Sequence, residues 1–287
     1  MASVTKTIMK KLTIIGAGKV GKVVGRCFHQ HSVFSIPQIL NRHHQSALRA
    51  CEFIGIDRVA ALADRKQLQA ADVWMLAVSD DQIVSACNML QEQGMLHADS
   101  IVFHCSGSKA SIDLVAAIEA GAAVGSIHPV ASFADPHHVA ENFAGTICSV
   151  EGDQRALAVL VPALEAIGAR VVQISAETKL LYHAGSVFAS NYLVTLLDTA
   201  LRAYQAAGIP AELALAMAAP LARQSMENVF ALGAARALTG PIARGDMQTV
   251  ACQKNVVAGW DVKAGELYQA LIPPTQALAV RKNHSEK

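Results

Sequence analysis

Short apolar runs alternate with amphipathic stretches through the first 175 residues, and this alternation is the strongest constraint on the fold. The apolar runs that read as strands are Leu12–Ile15, Ile36–Leu40, Arg58–Leu62, Val73–Val78, Ile101–Cys105, Ala122–Ile127, Gly145–Val150 and Arg170–Ile174. Val73–Val78 is almost continuously apolar, as expected of a strand buried on both faces. Strands that alternate with helices predict a mostly parallel sheet with helices on both sides.

The strand signals stop after Ser175, and four helical stretches follow. These stretches are Ala176–Ala207, a segment from Pro210 to about Leu232, Met247–Val257, and Val262–Leu271, which Pro273 and Pro274 are expected to end. The sequence therefore predicts an α/β Rossmann-type domain over residues 1–175. An all-α domain for substrate binding and dimerisation is expected over residues 176–287.

The composition excludes several classes of protein. Apolar residues make up 52% of the chain and charged residues 16%, so the chain has enough apolar surface to fold around a core. The net charge is +1, without a block of like charges, and no nucleic-acid partner is expected. The apolar segment Val187–Ala203 is interrupted by Asn191, Asp198 and Arg202, so no membrane span is expected. Six cysteines without a CxxC pair are read as free thiols of a cytoplasmic protein.

A glycine-rich turn follows the first predicted strand and opens a helix. Its sequence, Gly16-Ala17-Gly18-Lys19-Val20-Gly21, fits G-x-G-x-x-G. In this context the glycines allow the backbone to approach a pyrophosphate, and the helix N-terminus offers unpaired N–H groups. The turn predicts dinucleotide binding, although a plain strand-to-helix turn would have the same pattern.

The end of the second predicted strand bears on the choice between NAD and NADP. A site for NAD places an acidic residue there to bind the ribose 2′-hydroxyl. This chain instead has Asn41, Arg42, His43 and His44. An arginine can form a forked contact with a phosphate, so Asn41 and Arg42, with help from His43, are predicted to hold the 2′-phosphate of NADP(H). The alternative is a solvated basic turn.

The ends of three more predicted strands carry candidate site residues. Val78 and Ser79 come at the end of the fourth strand, Ser106 after the fifth, and His128 after the sixth. Ligands of open α/β sheets bind beyond the carboxyl ends of the strands. We therefore expect Val78 and Ser79 to face the cofactor, and Ser106 and His128 to face the substrate.

A polar stripe follows the first long helix. Lys179, His183, Ser186 and Ser190 are spaced so that they share one helix face, while most of their neighbours are apolar. The stripe is either the solvent face of an amphipathic helix or one wall of a cleft. In a cleft, Lys179 or His183 could protonate a carbonyl as hydride arrives, and Ser186 would contact the substrate.

The segment Leu238–Asp246 (LTGPIARGD) is a Gly/Pro-bearing loop between helices. It is either a connector or a site where Arg244 clamps a substrate carboxylate. The adjacent His137 and His138 have no third ligand nearby in the sequence, so no metal site is expected.

Taken together, these motifs resemble the Rossmann-like/DUF2520 family. The resemblance rests on the glycine-rich turn, an HP-x-x-SF segment at His128–Phe133, a K-x-x-x-H helix at Lys179–His183, and the L-x-GP-x-x-RGD loop. It implies membership of the 6-phosphogluconate dehydrogenase-like NADP oxidoreductases. Ketopantoate reductase, pyrroline-5-carboxylate reductase and F420-dependent NADP oxidoreductase belong to that group.

The resemblance implies an NADP-dependent oxidoreductase that dimerises through its helical half. β-Hydroxyacid dehydrogenases and ketopantoate reductase carry a helix lysine followed four residues later by asparagine. Lys179 matches that lysine, but His183 stands in place of the asparagine, so either side chain is a candidate proton donor. The leading hypothesis is NADPH-dependent reduction of a small 2-oxo acid, with ketopantoate as first choice. Reduction of an imine, hydride exchange with F420, and a non-catalytic NADP-binding sensor or scaffold are the alternatives.

Overall fold

The computed structural model describes residues 9–285 and contains one eight-stranded sheet in the order β3-β2-β1-β4-β5-β6-β7-β8. The strands are β1 (Lys11–Ile15), β2 (Ser35–Leu40), β3 (Ala61–Leu62), β4 (Val73–Leu76), β5 (Ile101–His104), β6 (Ala123–Pro129), β7 (Ile147–Gly152) and β8 (Arg170–Gln173). Only the β6–β7 pair is antiparallel among these strands. The mostly parallel Rossmann-type sheet predicted from the sequence is therefore confirmed.

Six helices connect these strands: α1 (Lys19–Gln30), α2 (His44–Ile54), α3 (Ile83–Glu92), α4 (Val115–Glu119), α5 (Pro136–Glu141) and α6 (Gln154–Ala166). The core forms where the apolar faces of the sheet meet these helices. Leu12 and Ile14 of β1, Val73 of β4 and Phe28 of α1 are fully buried. The third predicted strand is shorter than expected, because residues from Arg58 to Ala60 form a 3-10 turn whose start is capped by the Asp57 side chain.

The remaining helices are α7 (Lys179–Val187), α8 (Leu193–Ala206), α9 (Ala211–Leu232), α10 (Ala234–Ala237), α11 (Met247–Trp260) and α12 (Val262–Ser285). A π-helical segment, Phe188–Tyr192, joins α7 to α8. The expectation that Pro273 and Pro274 end the last helix was wrong. The φ of proline is compatible with a helix, and in this turn the Thr275 hydroxyl donates a hydrogen bond to the Leu271 carbonyl at 2.7 Å.

The chain forms two compact units, residues 1–187 and residues 188–287. The division lies inside the predicted long helix rather than at residue 175, since α7 belongs to the first unit. Helix α7 belongs to the first unit because Lys179, its first residue, is hydrogen-bonded to strands β6 and β7. By length and composition the helix Lys179–Ala206 could cross a membrane, and no other helix in residues 9–285 meets that criterion. One such helix is weak evidence of a membrane protein.

Candidate functional site

The turn between β1 and α1 requires glycine at its first position. Gly16 has a φ of +83°, and a Cβ there would lie 2.9 Å from the backbone nitrogen of Val78. Gly18 differs, because a Cβ on it would have no heavy atom within 4 Å. Gly16 is thus needed for the fold of the turn, whereas Gly18 leaves open space in front of the N-terminus of α1. Open space at that position is what a pyrophosphate needs.

Two further contacts hold the turn in place. A Cβ on Gly21 would lie 2.8 Å from the Cβ of Ala77 and 3.0 Å from the carbonyl oxygen of Gly16, so helix α1 packs closely on the turn and on the residue that follows β4. The Ala17 N–H donates a hydrogen bond to Oδ1 of Asn41 at 2.7 Å. Asn41 therefore braces the turn, a contact additional to the phosphate contact predicted for it.

A cavity of about 940 Å³ opens in front of this turn, at the carboxyl ends of β1, β2 and β4. The predicted cofactor residues that line it are Gly16, Ala17, Gly18, Asn41, Arg42, His43, Val78 and Ser79. Three predicted residues lie outside it. Lys19 donates to the Ala134 carbonyl at 3.3 Å, Val20 packs on the core, and Gly21 packs on Ala77. The volume and lining of the cavity fit a dinucleotide.

The end of the cavity near β2 is basic. Arg42 and His43 line it, and Arg65, from the turn after β3, lies in the same wall. The one carboxylate in the lining, Asp64, accepts a hydrogen bond from the Lys66 N–H at 2.9 Å and so caps its own turn. A phosphate placed here would meet two guanidinium groups, which supports binding of an anionic group at this end.

The loop after β5 is organised around Ser106. Its hydroxyl accepts hydrogen bonds from the N–H groups of Ser108 (3.1 Å) and Lys109 (3.0 Å). The Ser108 hydroxyl in turn donates to Asp80 at 2.6 Å. Ser106 therefore shapes the loop, while its predicted contact with the substrate stays a prediction.

Two imidazoles meet beside this loop. The rings of His128, in β6, and His183, in α7, are 5.4 Å apart between centroids. A Cβ on Gly107 would collide with Nδ1 of His183 and would lie 2.8 Å from Nε2 of His128. The Nδ1 of His128 is hydrogen-bonded to the Tyr182 hydroxyl at 3.0 Å. Nδ1 of His183 is buried without a hydrogen-bond partner, and such a group is costly unless a ligand or water satisfies it.

Burial keeps the neighbouring histidines neutral. Together with the charges of His183 and Lys179, it lowers the pKa of His128 from its usual 6.5 to about 4. His104, at the end of β5, also has a pKa of about 4, mainly because of burial and then because of Lys179. A neutral imidazole can accept or donate one hydrogen bond at each ring nitrogen, which suits the orientation of a polar substrate.

Lys179 lies deeper than the two imidazoles. Its side chain is 1% exposed, and its ammonium donates hydrogen bonds to the Ser126 hydroxyl and, at 2.9 Å, to Glu151. Burial lowers the pKa of Lys179 below its usual value, and the charge of Glu151 offsets only part of that shift. Lys179 is thus placed as an ion-pair partner, and His183 is the more exposed of the two predicted catalytic side chains.

The other predicted substrate residues lie further along the chain. Ser186 is half-buried on α7. Arg244 is exposed in the second unit, as the last residue of a 3-10 turn that Gly245 closes with a φ of +77°. Asp246 caps α11 through the N–H of Thr249, as a residue after such a loop can.

The site also contains residues that were not found from the sequence, namely Arg65, Glu151 and Tyr182. Glu151 lies near the end of β7, and a carboxylate at that position gives no local signal of its partner 28 residues later. Gly107 and Tyr182 lie next to predicted residues, but only the fold shows that they contact the imidazoles.

Two family models match the chain over separate segments. Residues 2–129 match the Rossmann-like domain model, and residues 146–273 match a domain of unknown function, DUF2520. The chain therefore carries a Rossmann-like domain followed by a DUF2520 domain. The predicted resemblance to this family is thereby confirmed. The DUF2520 segment begins just before β7 and therefore contains Glu151, Lys179 and His183. No curated protein sequence matches the chain.

Solved structures resemble the chain over nearly its whole length. The proposed NADP oxidoreductase BF3122 from Bacteroides fragilis is 18% identical, with a TM-score of 0.76 over 94% of this chain and 98% of its own. Protein TM1727 from Thermotoga maritima is 25% identical, with a TM-score of 0.72 over 95% and 99%. The NADP-bound pyrroline carboxylate reductase of Plasmodium falciparum is 12% identical, with a TM-score of 0.58 over 94% and 98%.

Proposed function

We propose that this DUF2520 protein is an NADP(H)-dependent oxidoreductase that reduces a small 2-oxo acid, with ketopantoate as the first substrate to test. The observation that carries the proposal is the pair of imidazoles beside Gly107. They lie at the same edge of the sheet as the glycine turn, at the carboxyl ends of neighbouring strands. Ligands of this fold bind at that edge.

The lining of the large cavity supports NADP(H) as the cofactor. The open space at Gly18 suits the pyrophosphate, and Arg42 and Arg65 suit a 2′-phosphate. The residue at the end of β2 is Asn41, which does not repel a phosphate as an acidic residue would. NADP stands in the names of two similar structures, the oxidoreductase BF3122 of Bacteroides fragilis and the NADP-bound reductase of Plasmodium falciparum.

We assign the proton transfer to His183. When bound, NADPH would supply the hydride that forms the new C–H bond. The carbonyl oxygen then needs one proton, and an imidazolium is a common donor near neutral pH. Lys179 is less suited, since its hydrogen bonds already go to Ser126 and Glu151. His128, held by Tyr182, would orient the carbonyl or the carboxylate through its other ring nitrogen.

The test is NADPH consumption with ketopantoate, measured beside NADH and a panel of small 2-oxo acids. We expect turnover that prefers NADPH and falls at least tenfold in His183→Gln, which corresponds to about 1.4 kcal/mol of activation free energy. NADPH affinity should change little in that variant. Undiminished turnover in His183→Gln would remove the proposed role of His183.

Imine reduction is the second candidate, favoured by the fold shared with the Plasmodium falciparum pyrroline carboxylate reductase. An iminium substrate already carries its proton, so a proton donor is not needed. In this case pyrroline-5-carboxylate would be turned over, and His183→Gln would remain nearly as active as the wild type. A third result, quenching of NADPH fluorescence without turnover of any substrate, would favour a sensor or scaffold.

A second copy of the chain is the proposed partner, bound through the helical unit. In the described part of residues 188–287, the buried apolar side chains are Ala214, Ala218, Val250 and Ala264. Much larger apolar side chains are exposed, among them Phe188, Val194, Leu221, Phe230, Val256 and Val262. A helical unit with so small a core gains stability by burying these side chains against another copy.

We also propose a cytoplasmic location, because all six cysteines are free thiols.

A further inference from the structure

A cluster of four hydrogen-bonded side chains lies beneath the imidazole pair. Glu151 of β7 is paired in register with Ser126 of β6. The ammonium of Lys179 donates to both. Ser111, in the turn before α4, donates its N–H to one carboxylate oxygen of Glu151 (2.8 Å) and its hydroxyl to the other (2.7 Å).

All the members of this cluster are buried, and the partners of each charge are accounted for. Glu151 is 4% exposed, Ser126 is fully buried and Ser111 is 5% exposed. A buried ion pair is tolerated when its remaining hydrogen-bonding capacity is satisfied. Glu151 accepts three hydrogen bonds, and Lys179 uses two of its three N–H donors on Glu151 and Ser126. The cluster is therefore fixed in geometry.

The cluster holds the first residue of α7, and His183 comes four residues later on the same face of that helix. The His183 ring has little room to move toward Gly107, because it lies so close that a Cβ on Gly107 would collide with it. A small shift of α7 along β6 and β7 would therefore move His183 against Gly107 and His128, or away from them.

We propose that Glu151 is a positioning residue, which acts through Lys179 to hold His183 beside His128, and that Lys179 does not donate the proton. The role of His183 in a reaction rests on the function proposed above, whereas the positioning itself does not. Lys179 also places a positive charge near His128, whose other charged or titratable neighbours are His183, Asp80 and Tyr182.

The first arm of the test needs no substrate. Protein labelled with ¹³C at the histidine Cε1 atoms is titrated by NMR, as the wild type, Glu151→Gln and Lys179→Met. We expect both variants to displace the signals of His183 and His128. Lys179→Met should also raise the pKa of His128, because a positive charge is removed. Lys263→Met, which breaks an exposed pair with Glu266, should displace neither signal. Unchanged histidine signals in Glu151→Gln and Lys179→Met would overturn the proposal.

If those two variants do not fold, Ser126→Ala removes one partner of Lys179 at little change in volume. The same histidine signals should then move by a smaller amount. If Ser126→Ala is folded and its His183 and His128 signals are unchanged, the proposal is wrong.

The second arm separates positioning from proton donation. We expect Glu151→Gln and Lys179→Met to lower kcat at least fivefold and to leave the NADPH Kd within twofold. The ionisation in the pH profile of kcat should persist in both variants and disappear in His183→Gln. If it disappears in Lys179→Met and persists in His183→Gln, Lys179 is the donor and the proposal is wrong. A wild type that turns over no substrate would refute the proposed function alone, because the NMR arm would still decide the positioning.

Discussion

The ammonium of Lys179 lies 2.9 Å from the carboxylate of Glu151, and both side chains are at least 95% inaccessible to solvent. An isolated charge in such surroundings is unstable, so each residue depends on the other. The sequence suggested a lysine poised in a cleft. The structure shows a lysine held by an antiparallel strand pair, with the neighbouring histidine facing the loop after β5.

This pair should be strongly coupled in stability. We expect Lys179→Met or Glu151→Gln alone to lower the free energy of unfolding by about 3–5 kcal/mol, because each leaves one buried charge unpaired. The double variant should be more stable than the sum of the single losses predicts. Urea unfolding of the four proteins measures this coupling. Additive losses would mean that the two charges do not interact.

Gly16→Ala should lower stability, whereas Gly18→Ala should lower NADPH affinity. The first forces a side chain into a backbone of positive φ against Val78, so we expect a lower melting temperature. The second has open space around its Cβ and should melt like the wild type. Since that space is the proposed pyrophosphate site, Gly18→Ala should weaken NADPH binding about tenfold or more, as measured by NADPH fluorescence. Wild-type affinity in Gly18→Ala would place the pyrophosphate elsewhere.

Discrimination between the two cofactors should depend on the basic end of the cavity. Removing one guanidinium from a phosphate costs about 1.5–3 kcal/mol, so Arg42→Ala should raise the NADPH Kd about tenfold to a hundredfold. NADH lacks the phosphate, and its Kd should change less than about threefold. Arg65→Ala should act in the same direction. Arg58→Ala is the control, because Arg58 is exposed and outside the cavity lining. Equal losses for NADPH and NADH would contradict a 2′-phosphate site.

Acid should destabilise the first unit through its buried histidines. His104 and His128 have pKa values of about 4 in the fold against about 6.5 when unfolded, so the unfolded chain binds more protons between those values. Their contribution is fully present above pH 6.5 and is lost as the pH falls toward 4. Each imidazole should add about 1.4 kcal/mol per pH unit to the loss in that window. His104→Gln should flatten the slope of unfolding free energy against pH, and an unchanged slope would show that His104 is protonated in the fold.

The oligomeric state should depend on exposed apolar side chains of the helical unit. We expect light scattering to give about twice the 30.3 kDa chain mass. Phe230→Glu should shift the protein toward the monomer, because it places a charge on a side chain that is 83% exposed in one copy. Val59→Glu is a matched control, equally exposed but in the first unit. A monomeric wild type, or a dimer indifferent to Phe230→Glu, would contradict this interface.

The strands could be predicted because a central strand of a parallel sheet is buried on both faces and is almost continuously apolar, as in Val73–Leu76. The glycine turn could be predicted because its requirements, a positive φ and space for the backbone, concern only Gly16 and its neighbours. The rule that proline ends a helix gave a wrong prediction at Pro273 and Pro274, because α12 continues past them.

The amino-acid sequence by itself determined the eight strands, the order of α/β and all-α parts, the dinucleotide turn and the basic end of β2. These features depend on residues close together in the chain. Only the tertiary structure decided that Lys179 pairs with Glu151 and that Gly107 lies between His128 and His183. Those contacts join residues from separate strands and helices, and they depend on how β6, β7 and α7 pack. The free energy of burying a charge is set by such packing, which no local pattern records.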